Sequence, residues 1–325
     1  MNAKLRNRII LSLAFGAVIF LALTIFADSE KLVKAFASFN WAYAPLILGC
    51  VSMNFALRYM KWDYYTLKLD VRPEPKKNMI FFFMAFTMAV TPGKFGEVLK
   101  SYLLKQENQT PISKSAPIVL AERLTDFIGL IILILVGAYV FQQSRLVVMF
   151  IAFAFAAITV LLSWRKGSMF FIEMFARVPF VKKYVAMMRT AYESIYTLLR
   201  PGTLIVTTLM SIASWFFECL AYWLVVSVFN APIDLLKATF IYAFATVIGA
   251  ISMIPGGLGT TEGSLTGLAV LAGTPADIAV ASTVIIRVAT LWFAVFIGIV
   301  VTLGFQKSLN VDLDTLPMDK ASLND

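Results

Sequence analysis

Apolar residues run through this chain in long blocks, with charged residues gathered in the short connections between them. Six blocks, at about 9–27, 42–62, 115–140, 146–164, 203–229 and 276–304, reach the length of about 20 helical residues that crosses a hydrocarbon core about 30 Å thick. The first, Ile9 to Ala27, has no small-residue cleavage site after it and is expected to be a retained first helix. Two further blocks, 79–91 and 239–254, run into Pro92-Gly93 and Pro255-Gly256-Gly257. A helix as short as the first of these rises only about 20 Å, too little to cross. Helical pattern resumes at about 95–105 and 260–272. The expectation is two re-entrant hairpins, each a half-helix in, a Gly-rich turn and a half-helix out, with polar backbone at depth facing protein or water.

Composition sharpens the class. Hydrophobic residues make up 60% of the 325 and charged residues only 14%, against about 25% charged in a soluble domain. The fold class expected is all-α integral membrane, as one membrane domain over 1–325 with six spanning helices plus the two hairpins. The net charge of +9 does not point to nucleic acid, because the basic residues sit where they orient membrane helices. With the N-terminus inside, the cytoplasmic segments hold twenty of the 28 Lys and Arg residues. The outside segments hold four: Lys31, Lys34, Arg145 and Lys237. Both termini are therefore expected in the cytoplasm, in a multi-pass protein of the inner (cytoplasmic) membrane. Residues 165–200 read as cytoplasmic amphipathic helices, with Phe170, Phe171, Phe175 and Phe180 available to lipid, and 306–325 as a cytoplasmic tail. Trp41, Tyr43, Tyr59, Trp62, Tyr64 and Tyr65 read as an interfacial aromatic belt. Arg58 and Lys61, near the inner boundary, are expected to snorkel.

The sequence also repeats itself. Pro92-Gly93-Lys94-Phe95-Gly96 parallels Pro255-Gly256-Gly257-Leu258-Gly259, with the prolines 163 positions apart, and a glutamate follows each, Glu97 and Glu262. Thr110-Pro111 parallels Thr274-Pro275, and Arg123 parallels Arg287, both at an offset of 164. Repeat one covers about 42–164 and repeat two about 203–305. Counting crossings, the first hairpin enters from the cytoplasm and the second from outside. Such inverted-topology repeats are a construction of secondary transporters, which bind near the midplane where broken helices meet.

Charges inside a membrane are costly and mark function or buried pairing. Arg123 lies about 15 Å and Arg287 about 18 Å along their helices, so both fall near mid-depth. Glu122, Arg123 and Asp126 cluster, and Glu218 interrupts another apolar block. One reading pairs Arg123 and Arg287 with Glu97, Glu122, Asp126, Glu218 and Glu262 as structural counter-ions. The other adds an anionic ligand. The half-helix following each turn offers free N–H groups and a positive dipole end. Gly93, Lys94, Gly96, Gly256, Gly257 and Gly259 together with the two arginines could then cradle a phosphate. Glu97 and Glu262 could instead cap those N–H groups, and the glycines could serve only tight turns and packing.

No histidine occurs, which excludes Ser-His-Asp triads, Cys-His dyads and His-based zinc sites. No cofactor or metal is expected. Cys50 and Cys219 lie in apolar blocks and read as small buried hydrophobes.

The run Pro92-Gly-Lys-Phe-Gly-Glu-Val-Leu-Lys100, the Glu122-Arg123-x-x-Asp126 cluster, and Pro255-Gly-Gly-Leu-Gly-x-x-Glu262 followed by Arg287 together resemble the lysylphosphatidylglycerol synthase transmembrane family. This is the flippase-type membrane domain of the multiple peptide resistance factors, and the resemblance spans about residues 9–305. It implies a domain that in some members moves lipids between leaflets. The aminoacyl-transferase domain of the full resistance factor has no counterpart in the chain after its last helix, so lipid aminoacylation is not expected. The function expected is translocation of an anionic, phosphate-bearing lipid, of phospholipid or polyprenyl-phosphate type, by a non-enzyme. The alternative is a membrane-embedded enzyme or accessory subunit in lipid or glycolipid biosynthesis. A homo-oligomer is left open.

Overall fold

A computed structural model of the protein describes residues 29–90, 97–137, 153, 159, 164–175 and 184–305. The expected first helix at 9–27, most of the block at 146–164, the first turn with Gly93, Lys94 and Gly96, Phe180, and the tail at 306–325 lie outside these residues. The protein is all-helical, as expected of an α-helical membrane protein, and no strand occurs among the described residues.

Thirteen helices are numbered here within the described residues. They begin with α1 (Ser29–Ser38), α2 (Ala44–Lys68), α3 (Pro75–Met84, extended by a 3₁₀ turn over Ala85–Met88), α4 (Leu99–Asn108) and the four-residue α5 (Ile112–Ser115). Next come α6 (Pro117–Gly137), α7 (Arg165–Phe175), α8 (Val185–Leu198) and α9 (Pro201–Val228). The last are α10 (Leu235–Ile251), α11 (Thr260–Leu271), α12 (Ala276–Arg287) and α13 (Phe293–Phe305), with α12 and α13 joined through a π-helical turn at Val288–Trp292. The starts follow local chemistry. Proline sits in the first turn of α2, α3 and α9, where its missing N–H costs nothing. Asp234 caps α10 by accepting the Lys237 N–H at 2.8 Å.

The apolar blocks at 203–229 and 276–304 form long helices. α9 has 28 residues and α12 through α13 runs 30, about 42 and 45 Å at 1.5 Å per residue. α9 is central and packs against α2, α6, α10 and α12. Its outward side chains Ile205 and Leu209, and Phe296, Val300 and Leu303 of α13, are exposed large hydrophobics spaced along one helix face. Apolar residues outside and polar ones within is the pattern of a lipid-facing surface. The short blocks are helices that stop at a break: α3 with its 3₁₀ turn before residue 91, and α10 before Pro255. α10 packs on α11, and α3 on α4. α1 was not foreseen from the pattern; it meets α2 at a bend of 59°.

Two assignments to the membrane interface are corrected. Trp62 and Tyr65 are fully buried, not in an aromatic belt. Trp62 Nε1 donates to Asn78 Oδ1 at 2.8 Å, and the Tyr65 hydroxyl lies 3.3 Å from Thr125 Oγ1. Lys61 does not snorkel either: it is 1% exposed and faces α6 and α9. Trp41 and Tyr43 remain exposed. Cys50 and Cys219 are buried free thiols.

Close packing of α13 over the first broken segment rests on Gly298. A Cβ there would lie 2.4 Å from the Thr87 nitrogen and 2.8 Å from the Phe86 carbonyl carbon, both backbone atoms. Gly298→Ala is therefore expected to destabilise by about 1–3 kcal/mol, the usual cost of overpacking. Thermal unfolding in detergent checks it, and an unchanged midpoint would show that the contact yields without cost.

Candidate functional site

The two broken segments border one partly open cavity of about 310 Å³. Its walls come from α2, the 3₁₀ turn after α3, α6, α9, α10, the Pro255–Gly257 turn and the α12–α13 span. Six ionisable side chains border it: Arg58, Glu97, Arg123, Asp126, Glu218 and Arg287. Phe55, Phe86, Phe127, Trp215 and Tyr242 complete much of the remaining wall. Charges facing a small space between aromatic rings feel weak dielectric screening, so their pairing decides what else can bind.

The arginines sit where helix phase puts them. On α6, Arg123 and Asp126 lie one turn apart and share a face. Arg123 Nη2 is in close contact with Glu97 Oε1, and Nη1 lies 3.9 Å from Asp126 Oδ2. Arg58 Nη2 approaches the same Glu97 oxygen at 3.6 Å and places its guanidinium over the Phe86 ring. Arg58 is thus a cavity residue, which the sequence reading placed at the interface. From α12, Arg287 Nε donates to Glu262 Oε1 at 2.6 Å and Nη2 donates to the Gly256 carbonyl at 2.7 Å.

The second turn explains its glycines. Gly256, Gly257 and Gly259 all have positive φ, which residues with a Cβ rarely adopt. At Gly257 a Cβ would also lie 3.2 Å from the Gly249 Cα across the turn. The N–H of Gly257 donates to the Ile254 carbonyl at 2.8 Å, and that of Gly259 to Glu262 Oε2 at 2.7 Å. Those two N–H groups are therefore committed within the protein. This corrects the expectation that they are free for a phosphate: Glu262 takes the capping role the sequence allowed for it. Of the cradle drawn from sequence, Arg123, Arg287, Gly256 and Gly257 line the cavity among the described residues.

Behind the cavity lies a buried ionic layer that sequence reasoning only partly reached. Lys61 Nζ donates to Asp126 Oδ1 at 2.5 Å and to Ser211 Oγ at 2.8 Å. Lys100, counted among the cytoplasmic loop residues, is 2% exposed. It pairs with Glu122 at 2.6 Å and stands 4.1 Å from the centroid of the Trp62 ring. Glu122 thus supports the wall from behind. The Tyr242 hydroxyl donates to Glu218 Oε2 at 2.8 Å, at the cavity edge. The missed signal was spacing: Arg58 and Lys61 on α2 stand three apart, the same helical spacing that groups Arg123 with Asp126.

A helical membrane protein with a charged cavity among its helices is what the fold and these side chains define. The chain belongs to the family described as the lysylphosphatidylglycerol synthase TM region, which matches residues 9–298. Three relatives from Methanothermobacter thermautotrophicus, each described as a UPF0104 membrane protein, are similar to it at 24%, 25% and 23% identity. The matches cover 88%, 94% and 95% of this chain and 90%, 95% and 97% of theirs. Family membership links the chain to lipid-related membrane function.

Proposed function

We propose that this protein translocates an anionic, phosphate-bearing lipid between leaflets and is not an enzyme. The observation that carries the reading is the convergence of Arg123 and Arg287, at equivalent places in the two sequence repeats, on one cavity. Burying an unpaired phosphate in hydrocarbon is prohibitive, and guanidinium groups offset that cost. The tails stay in the bilayer, so only the head group needs a lined path. In this reading the chain has six spans and two re-entrant hairpins in an inverted repeat, repeat one at about 42–164 and repeat two at about 203–305. Opposed hairpins let the cavity open to either leaflet in turn. The termini and the 165–200 segment lie in the cytoplasm, and the protein resides in the inner membrane as one membrane domain. Gly93, Lys94 and Gly96 are assigned to the same path from their place in the first repeat.

Reconstitution into phosphatidylcholine liposomes doped with fluorescent phosphatidic acid or phosphatidylglycerol tests this. Proteoliposomes are expected to equilibrate the labelled lipid between leaflets faster than empty liposomes, as read by quenching from outside. Equal rates for every anionic lipid would sink the reading.

A further inference from the structure

The two arginines at equivalent repeat positions are held in different ways. Arg287 is tied to the second turn twice, through Glu262 and through the Gly256 carbonyl. Glu262 has no exposed side-chain surface, and its second oxygen accepts from Gly259, so the guanidinium completes a closed ring with the turn. Arg123 is looser. Its side chain is 20% exposed against 9% for Arg287. It meets Glu97, but among the described residues its buried Nε has no hydrogen-bond partner, and neither has Asp126 Oδ2 beside it. Arg58 converges on the same Glu97 oxygen from α2.

One carboxylate oxygen therefore serves two guanidinium groups. Each guanidinium carries five N–H donors in a fixed fork, so the pair offers more donors than that oxygen can accept. A buried donor left unmade is costly, and native structures fill such vacancies or use them. A phosphomonoester presents three non-bridging acceptor oxygens and a phosphodiester two, and either can match the forks of two arginines at once.

We infer that the Arg58–Arg123 pair is the receiving site for the phosphate, and that Glu97 is its resident counter-ion, displaced when the phosphate arrives. Arg287 is a positioning residue that fixes the second turn. This inference rests on the reading that the cavity takes an anionic head group.

The test uses the full-length protein in phosphatidylcholine nanodiscs doped with fluorescent phosphatidic acid, with binding and thermal midpoint read on each variant. Arg58→Gln and Arg123→Gln are each expected to weaken binding about tenfold, the scale of a lost charge-assisted hydrogen bond. Glu97→Gln is expected to tighten binding, because it removes the competitor; a purely structural carboxylate would not do that. Arg287→Gln is expected to lower the thermal midpoint most. Should Arg58→Gln fail to fold, Arg58→Lys keeps the charge, loses the fork and takes its place. Parental binding in Arg58→Gln, or weaker binding in Glu97→Gln, overturns the inference while leaving the lipid reading standing. Inorganic phosphate is the second arm. Phosphate binding that depends on Arg58, with no preference for phosphatidic acid over phosphatidylcholine, keeps the pair and removes the lipid. A parent that binds neither overturns both.

Discussion

Arg123→Lys is expected to yield a protein that folds and inserts normally but moves anionic lipid about 10 to 100 times more slowly, the effect of losing about 1.5–3 kcal/mol of charge-assisted hydrogen bonding. The lysine keeps one positive charge, so the repulsion or attraction felt by Glu97 and Asp126 changes little. It loses the planar fork that can hold one acceptor while passing another along, and an ammonium is more strongly hydrated in a small cavity. The side chain's partial exposure lets the shorter lysine relax without leaving a sealed void. Liposome translocation with quenching from outside measures the rate, and size-exclusion chromatography with a thermal midpoint measures folding. A parental rate in a well-folded variant would make Arg123 a structural counter-ion and nothing more.

A second large effect falls on folding. Asp126→Leu is expected to destabilise by about 3–5 kcal/mol, because it strands the Lys61 ammonium without its carboxylate in the interior. Lys61 is 1% exposed, its other hydrogen-bond partner among the described residues is the neutral Ser211 hydroxyl, and the nearby Glu122 carboxylate is already paired with Lys100. The double replacement Lys61→Met with Asp126→Leu is expected to recover most of the loss, since well-packed apolar pairs often replace buried ion pairs at little cost. Thermal unfolding of the parent, the single and the double variant in detergent decides this. A single variant as stable as the parent would show that water reaches Lys61.

These two cases also mark how far the sequence could be read. The helical membrane class followed directly from block length and composition, because a bilayer imposes both. The second break was legible because Pro255-Gly256-Gly257 combines a residue that stops a helix with residues that take positive φ. Arg123 and Arg287 stood out because each interrupts an apolar block with no boundary nearby. Arg58, Lys61 and Lys100 did not, because they lie near block ends, where a cation ordinarily reaches water. What overrides that default is a partner on a helix distant in sequence: Lys61 finds Asp126 65 positions away and Lys100 finds Glu122 22 away. Pairing over such separations is set by how helices pack, and the apolar pattern of one helix does not carry it. α1 went unread because its ten residues mix charged and apolar side chains too briefly to resemble a span.

The π-helical turn at Val288–Trp292 sets the angular phase of the last span. It winds more residues into one turn than an α-helix does, between Arg287 on one side and Gly298 on the other. Successive α-helical residues are offset by about 100°, so relaxing this turn to ordinary α-helix with its residues unchanged would rotate everything after it by about that much. Gly298 would then face away from Thr87, while Arg287 still pointed at Glu262. The turn acts as a coupling between two faces of one rod: the first half is keyed to the cavity, the second to the packing seam with the first broken helix. Relaxing it to an ordinary helix would set those two engagements against each other, so the extra residue in the turn is what lets both be met at once.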